Sequence, residues 1–272
     1  MASTQADRAD CFARLHRPGQ PLVLPNPWDV GSARLLASLG FEALATTSGG
    51  FAATLGRFDG SVTREEALAH MAQIVDATDL PISADFENGF ADSPDDVAES
   101  VTLAAATGVA GLSVEDFTRR SDHPLYDLEQ ATARVAAAAR AAHDGAARLV
   151  LTARTEGHLH GRTDLAETTA RLQAYAEAGA DVIFAPGVTA LDDVARLVAL
   201  GPPVNVLALP GTPTVAELAS VGVARVSVGG AFAYAALGAL AEAAEELRDN
   251  GSYGYWAGAG RGQAAAHRAF SA

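Results

Sequence analysis

An α/β fold of the (β/α)8 TIM-barrel kind is predicted by two features of the sequence. From residue 21 onward eight short apolar runs alternate with longer helical patterns, and glycine repeatedly stands just ahead of the next run. Such alternation implies parallel strands joined by helical crossovers, and eight is the number that closes a barrel. The strand candidates are Leu22–Leu24, Ala43–Thr47, Ile82–Asp85, Gly111–Glu115, Leu149–Arg154, Asp181–Ala185, Val204–Leu209 and Arg225–Val228.

Helix punctuation supports the alternation. Thr63-Arg64-Glu65-Glu66 forms a capping box, Ser93-Pro94 joins an N-cap to proline at N1, and Thr163-Asp164 precedes another helix. Gly40, Gly108, Gly179 and Gly222 occupy helix C-cap positions. No low-complexity linker interrupts the series, so residues 1–272 are expected to form one domain, with 232–272 as a C-terminal helical arm. In that arm a helix over Phe232 to Arg248 is stopped by Asn250-Gly251, and an aromatic, glycine-rich stretch (Tyr253 to Trp256) and a short Arg-containing tail follow. The aromatics need burial, under their own barrel or against a neighbour.

Composition removes several function classes. With 19 basic against 33 acidic residues the formal charge is −14, which argues against a nucleic-acid partner. Neither a membrane-spanning run nor a secretory leader is evident, and a cytoplasmic protein is expected. Every basic residue is arginine; without lysine there is no Schiff base and no lysine general base. The single cysteine, Cys11, precedes the first strand, so a thiol nucleophile at the strand ends is not expected.

Acidic side chains follow three successive strands: Asp85 and Glu87, then Glu115 and Asp116, then Glu156 beside Arg154. Side chains at the C-terminal ends of barrel strands line the active site. Carboxylates gathered there repel one another unless a hard divalent cation takes their oxygens. On an extended backbone Asp85 and Glu87 point the same way, so the ion, or its water shell, would bridge them to Glu115. Each carboxylate has the competing reading of a helix cap, and Arg154 that of an ion pair with Glu115 or Glu156. Ser48-Gly49-Gly50 reads as a permissive turn whose N–H groups suit an oxyanion, or as a plain strand-to-loop turn. His158 and His160 lack metal-ligand spacing and read as loop residues. Gly229-Gly230 sits where many barrels bind phosphate, although tight packing explains it equally.

Together, Ser48-Gly49-Gly50, Leu55-Gly56, Asp59, the segment Pro81 to Phe90, Gly108 to Asp116 and Ala153-Arg154-Thr155-Glu156 resemble the isocitrate lyase and phosphoenolpyruvate mutase superfamily. The resemblance implies Mg²⁺, with Mn²⁺ as the alternative ion, and a small 2-oxo or 2-hydroxy carboxylic acid that reacts through an enolate. It also implies homo-oligomers, dimers or tetramers, that exchange the helix after strand eight. Asp85, Glu87 and Glu115 would hold the metal, directly or through water. Thr47, Ser48, Gly49, Gly50, Asp85 and Arg154 would bind substrate. Arg154, Asp59, Glu115 and His123 would serve catalysis, Asp59 from a mobile loop.

Three departures shape the functional expectation. Where the lyases carry Lys-Lys-Cys-Gly-His after strand four, this chain reads Arg119-Arg120-Ser121-Asp122-His123, with serine replacing the acid. His123 is the residue placed to substitute, against its plain reading as a solvated loop histidine. Pro186 stands where the mutases have histidine, and Glu87 is one methylene longer than the usual aspartate. A site without Cys or Lys suits carbon dioxide as leaving group, so the expected activity is a Mg²⁺-dependent carbon–carbon lyase, a decarboxylase or a retro-aldol enzyme. A phosphonopyruvate hydrolase or mutase-like enzyme is the second reading, and a non-catalytic oxo-acid binder the third.

Overall fold

The computed structural model describes residues 3–271. Eight strands form one parallel sheet: β1 (Leu22–Leu24), β2 (Leu44–Ala45), β3 (Ile82–Asp85), β4 (Gly111–Glu115), β5 (Val150–Arg154), β6 (Val182–Phe184), β7 (Val204–Leu207) and β8 (Arg225–Ser227). Their order is β1-β8-β7-β6-β5-β4-β3-β2, all parallel. At the seam between β1 and β2, Ala45 N–H donates to the Pro25 carbonyl at 3.0 Å. Asn26 reinforces it by donating from Nδ2 to the Thr46 carbonyl at 2.8 Å, while its Oδ1 accepts from the Val228 and Gly229 N–H groups at 3.0 and 2.9 Å. One buried amide thus ties the ends of the first, second and eighth strands.

Among the described residues eleven α-helices accompany the strands: α1 (Gln5–Leu15), α2 (Val30–Ser38), α3 (Ser48–Thr54), α4 (Arg64–Asp76), α5 (Pro94–Ala106), α6 (Leu128–His143), α7 (Leu165–Glu177), α8 (Leu191–Val198), α9 (Val215–Ser220), α10 (Ala231–Asn250) and α11 (Trp256–Phe270). The expected caps are present: Thr63 forms a capping box, Ser93 and Asp164 accept backbone N–H bonds, and the four C-cap glycines have φ between 87° and 107°. Helix α1, not anticipated, covers the N-terminal end of the barrel. Its fully buried Phe12 sits where a Cβ on Gly111 would come within 2.9 Å, so only glycine fits at the start of β4.

Two expectations need correcting. Ser48-Gly49-Gly50 is the first turn of α3 rather than a loose turn, because Thr47 caps it by accepting from Gly50 N–H at 3.2 Å. The tail after Gly251 is the helix α11, which its three glycines concealed. That helix packs on α2 of the same chain, placing Phe270 beside Gly31, so a single chain buries part of its own arm. By contrast α10 buries only Ala233 and leaves Phe232, Tyr234, Leu237, Leu240 and Leu247 exposed. Among the described residues no helix is long and apolar enough to cross a membrane.

His70 on α4 stacks on Phe51 with ring centroids 3.9 Å apart, and its Nε2 has no partner among the described residues. Burial holds its pKa down at about 4 against an ordinary 6.5. The unfolded chain takes up the proton first, so this residue's contribution is complete above pH 6.5 and is lost as pH falls toward 4. His70→Phe should therefore gain stability relative to wild type across that window, by up to about 1.4 kcal/mol per pH unit. Calorimetry at several pH values checks this; a pH-independent difference contradicts it.

Candidate active site

The C-terminal ends of the strands surround a cavity of about 400 Å³. Thr47, Ser48, Gly49, Asp59, Asp85 and Arg154 all line it. Asp85 is placed by the end of β3: its N–H donates to Thr46 Oγ1 at 2.9 Å, and its Oδ2 accepts from the N–H and hydroxyl of Ser48 at 2.9 and 3.0 Å. Ser48 is therefore spent on orienting Asp85. Gly49 is small for a spatial reason, since a Cβ there would lie 3.2 Å from Asp59 Oδ2 and 3.5 Å from the Tyr234 hydroxyl. Gly50 is buried against Trp28 and Ala233, outside the cavity lining.

Arg154, at the end of β5, is the centre of the charge cluster. It hydrogen-bonds Glu156 and lies 3.5 Å from Glu115 and 3.6 Å from Asp85, with its guanidinium over the Phe184 ring. Burial works against its charge, but Glu156, Glu115 and Asp85 more than offset this and hold its pKa above the usual arginine range. Glu115 is pushed well above the carboxylate range, by burial first, with Glu156 and Asp85 adding repulsion and Arg154 opposing it.

Asp85 and Glu87 do not share one face of an extended strand. The chain leaves the sheet after Asp85, and Glu87 and Phe90 adopt left-handed conformations at φ 47° and 56°. This turn is braced from outside by the buried Arg134, which donates to the carbonyls of Asn88, Ala91 and Asp92 and lies over Tyr126. Glu87 consequently pairs with Arg119, whose guanidinium lies 5.1 Å from the Phe90 ring centre. Burial raises the Glu87 pKa to about 7 despite that pairing. Asp59 is also raised, by burial and then by Asp85.

Other candidates lie elsewhere. Asp116 accepts from Thr155, the Glu156 N–H, Arg171 and Tyr175 in a buried network that locks β4 to β5 and α7. His123 is on the exposed loop after β4, outside the cavity lining, and its carbonyl accepts from Thr118. His158 bonds Thr168, and His160 stacks on Phe117. Residues missed by the strand-end rule are Asn26, Asn205, Ser227 and Tyr234, all in the lining. Asn26 was findable, because it follows β1 as Asp85 ends β3. Tyr234 was not, because it arrives from α10.

Among the described residues no three or more His, Cys, Asp or Glu side chains are already gathered at metal-binding separation. The donor set is nevertheless all oxygen and carries surplus negative charge. Both properties fit Mg²⁺, which takes one or two carboxylates directly and keeps several waters.

A family model described as phosphoenolpyruvate phosphomutase matches residues 12–248. The 2-methylisocitrate lyase of Salmonella typhimurium is 31% identical over 260 residues, covering 86% of this chain and 84% of that protein. The oxaloacetate decarboxylase of Chromohalobacter salexigens is 30% identical over 261 residues, covering 90% and 87%. A crystal structure of a candidate lyase/mutase from Burkholderia cenocepacia J2315 superposes with a TM-score of 0.89 at 51% identity, covering 92% of this chain and 91% of that one.

The packing around α3 yields a stability test. A Cβ on Gly50 would lie 2.5 Å from Thr47 Cγ2 and 3.1 Å from Trp28 Cβ, so Gly50→Ala should cost about 1–3 kcal/mol. Chemical denaturation measures this; an unchanged midpoint would show that α3 shifts freely.

Proposed function

The chain belongs to the phosphoenolpyruvate phosphomutase family, within the isocitrate lyase and phosphoenolpyruvate mutase superfamily, and from that premise we propose that it is a Mg²⁺-dependent carbon–carbon lyase acting on a small 2-oxo or 2-hydroxy carboxylic acid. The supporting observation is one cavity that combines Asp85, oriented by Ser48, with Arg154, in a chain that has no lysine and a single cysteine far from the rim. Decarboxylation of an oxaloacetate-like acid fits best, and retro-aldol cleavage of a substituted malate follows the same logic.

Asp85 would be the principal metal ligand, with Glu87 and Glu115 contributing directly or through water. Bound there, Mg²⁺ would supply electrophilic polarisation of the substrate's C2 oxygen. Arg154 would meet a carboxylate with its planar fork. Gly49 N–H, at the start of α3, would add a backbone donor. Phe184 and Leu159 add apolar surface to the lining. When the bond to C3 breaks, the electrons are held as an enolate, and carbon dioxide departs without a protein acid. Asp59 is the cavity carboxyl that could return a proton to C3, since burial favours its protonated form. His123 would have to move inward with its loop to share that role.

We further propose that two or four chains assemble through the exposed apolar side chains of α10. Light scattering tests this: Leu240→Arg should shift an oligomer toward monomer, and a wild-type monomer contradicts it.

Two measurements test the chemistry. Metal-dependent loss of oxaloacetate absorbance is expected, abolished by a chelator, restored by Mg²⁺ or Mn²⁺, and absent in Asp85→Ala. Phosphate release from phosphonopyruvate would favour the hydrolase instead, and ligand-induced stabilisation without turnover a binder. Arg154→Lys should lower kcat/KM at least about 100-fold, or about 2.7 kcal/mol. Wild-type kinetics in that variant would assign Arg154 to structure alone.

A further inference from the structure

Behind the turn that carries Glu87, a much smaller chamber of about 10 Å³ lies between α3, α4 and the ends of β2 and β3. Thr46, Ser48, Phe51, His70, Asp85 and Glu87 are among its walls. His70 is 5% exposed and stacked on Phe51, and its Nε2 is sealed from solvent without a hydrogen-bond partner among the described residues. Stacking alone does not account for a histidine here, because phenylalanine would stack on Phe51 equally well and bury no polar atom. The nitrogen therefore calls for an occupant of the chamber.

Size and chemistry select that occupant. Room of this order for the centre of a molecule admits one water, and a buried water makes about three hydrogen bonds. The walls supply that number. Thr46 Oγ1 accepts from the Asp85 N–H at 2.9 Å, which leaves its hydroxyl hydrogen to donate. Glu87 gives one carboxyl oxygen to Arg119, and the other has no protein partner among the described residues. His70 Nε2 is the third. Asp85 is already committed, to Ser48 through Oδ2 and to Arg154 through Oδ1.

We propose that His70 is a positioning residue for Glu87: one water, held by His70 Nε2 and the Thr46 hydroxyl, donates a hydrogen bond to the Glu87 oxygen that Arg119 leaves free. Either tautomer of His70 allows this, since the water can accept from Nε2–H or donate to its lone pair. Arg119 belongs to the exposed loop after β4 and is the partner that a cation at Glu87 would displace. His70 belongs to α4 and stays, so Glu87 keeps one fixed hydrogen bond when Arg119 leaves. Partners of this kind hold a metal-binding carboxylate in its orientation. The placement of the water is independent of the lyase reading; its effect on a cation rests on that reading, with Glu87 holding the metal.

A high-resolution crystal structure of the metal-free wild type should show one ordered water within hydrogen-bond distance of both His70 Nε2 and Glu87. His70→Phe keeps the stacking on Phe51 and removes the nitrogen, so its chamber should be empty and its Glu87 carboxyl turned from the wild-type position. Mn²⁺ binding, titrated by electron paramagnetic resonance without substrate, should weaken about tenfold in His70→Phe. His70→Gln, whose amide reaches the place of Nε2, should restore most of that loss. If His70→Phe does not fold, His70→Leu serves the same purpose. An empty chamber in wild type, a water that misses Glu87, an unmoved Glu87 carboxyl in the variant or equal Mn²⁺ affinity in variant and wild type overturns the proposal. If wild type binds no Mn²⁺ at all, the metal reading fails, and the two crystal structures still decide whether His70 positions Glu87.

Discussion

Five carboxylates, Asp59, Asp85, Glu87, Glu115 and Glu156, share the rim of the barrel with two guanidinium groups, those of Arg119 and Arg154. Burial makes that imbalance expensive, and the protein responds by favouring protonation of Asp59, Glu87 and Glu115. Under the proposed metal binding, Glu87 and Glu115 would exchange a proton for the cation. Any cation brought to Glu87 competes with Arg119, and Arg119 sits on the loop after β4 at φ 63°, stacked toward Phe90. The charge state of the site is thereby linked to the seating of the loop that borders it.

Maintaining such a cluster requires stiffness around it. Arg134 supplies this for the turn after β3 by satisfying three carbonyls that would otherwise be turned inward unpaired. Asp116 does so for β4 and β5, where its two oxygens accept four hydrogen bonds from elements distant in sequence. Buried charges of this kind rarely raise net stability, because desolvation consumes much of the gain. Their effect is to fix one geometry for Glu87, Glu115 and Glu156.

The fold was legible because its signals are local. Apolar runs, capping boxes and C-cap glycines each declare an element within a few residues, and all eight strands lie inside their expected spans. Strand ends also named Asp85, Glu115 and Arg154, since barrel topology converts sequence position into a place on the rim. What was not legible depends on three-dimensional contact. The turn that swings Glu87 away from Asp85 is stabilised by Arg134, 47 residues downstream of Glu87 in the sequence. Helix α3 hides behind glycines kept small by Trp28, Asp59 and Tyr234. Arg225 looked like any strand-leading residue; only the closed barrel shows that, among the described residues, no acid forms an ion pair with it.

The absence of lysine and of a rim thiol narrows the chemistry further once the cavity is known. Under the proposed lyase reading an enolate would have to be quenched by a group within reach, and His123 does not line the cavity. Asp59 does, beside Gly49, and both burial and the neighbouring Asp85 push it toward the protonated state. A carboxyl whose proton is retained by burial first and by repulsion from Asp85 second would lose the second hold if Asp85 were neutralised. With a cation held by Asp85, Asp59 would release its proton more readily. This coupling works for a leaving group that needs no proton of its own, as carbon dioxide does not. It works less well where the single available proton must also serve the departing fragment.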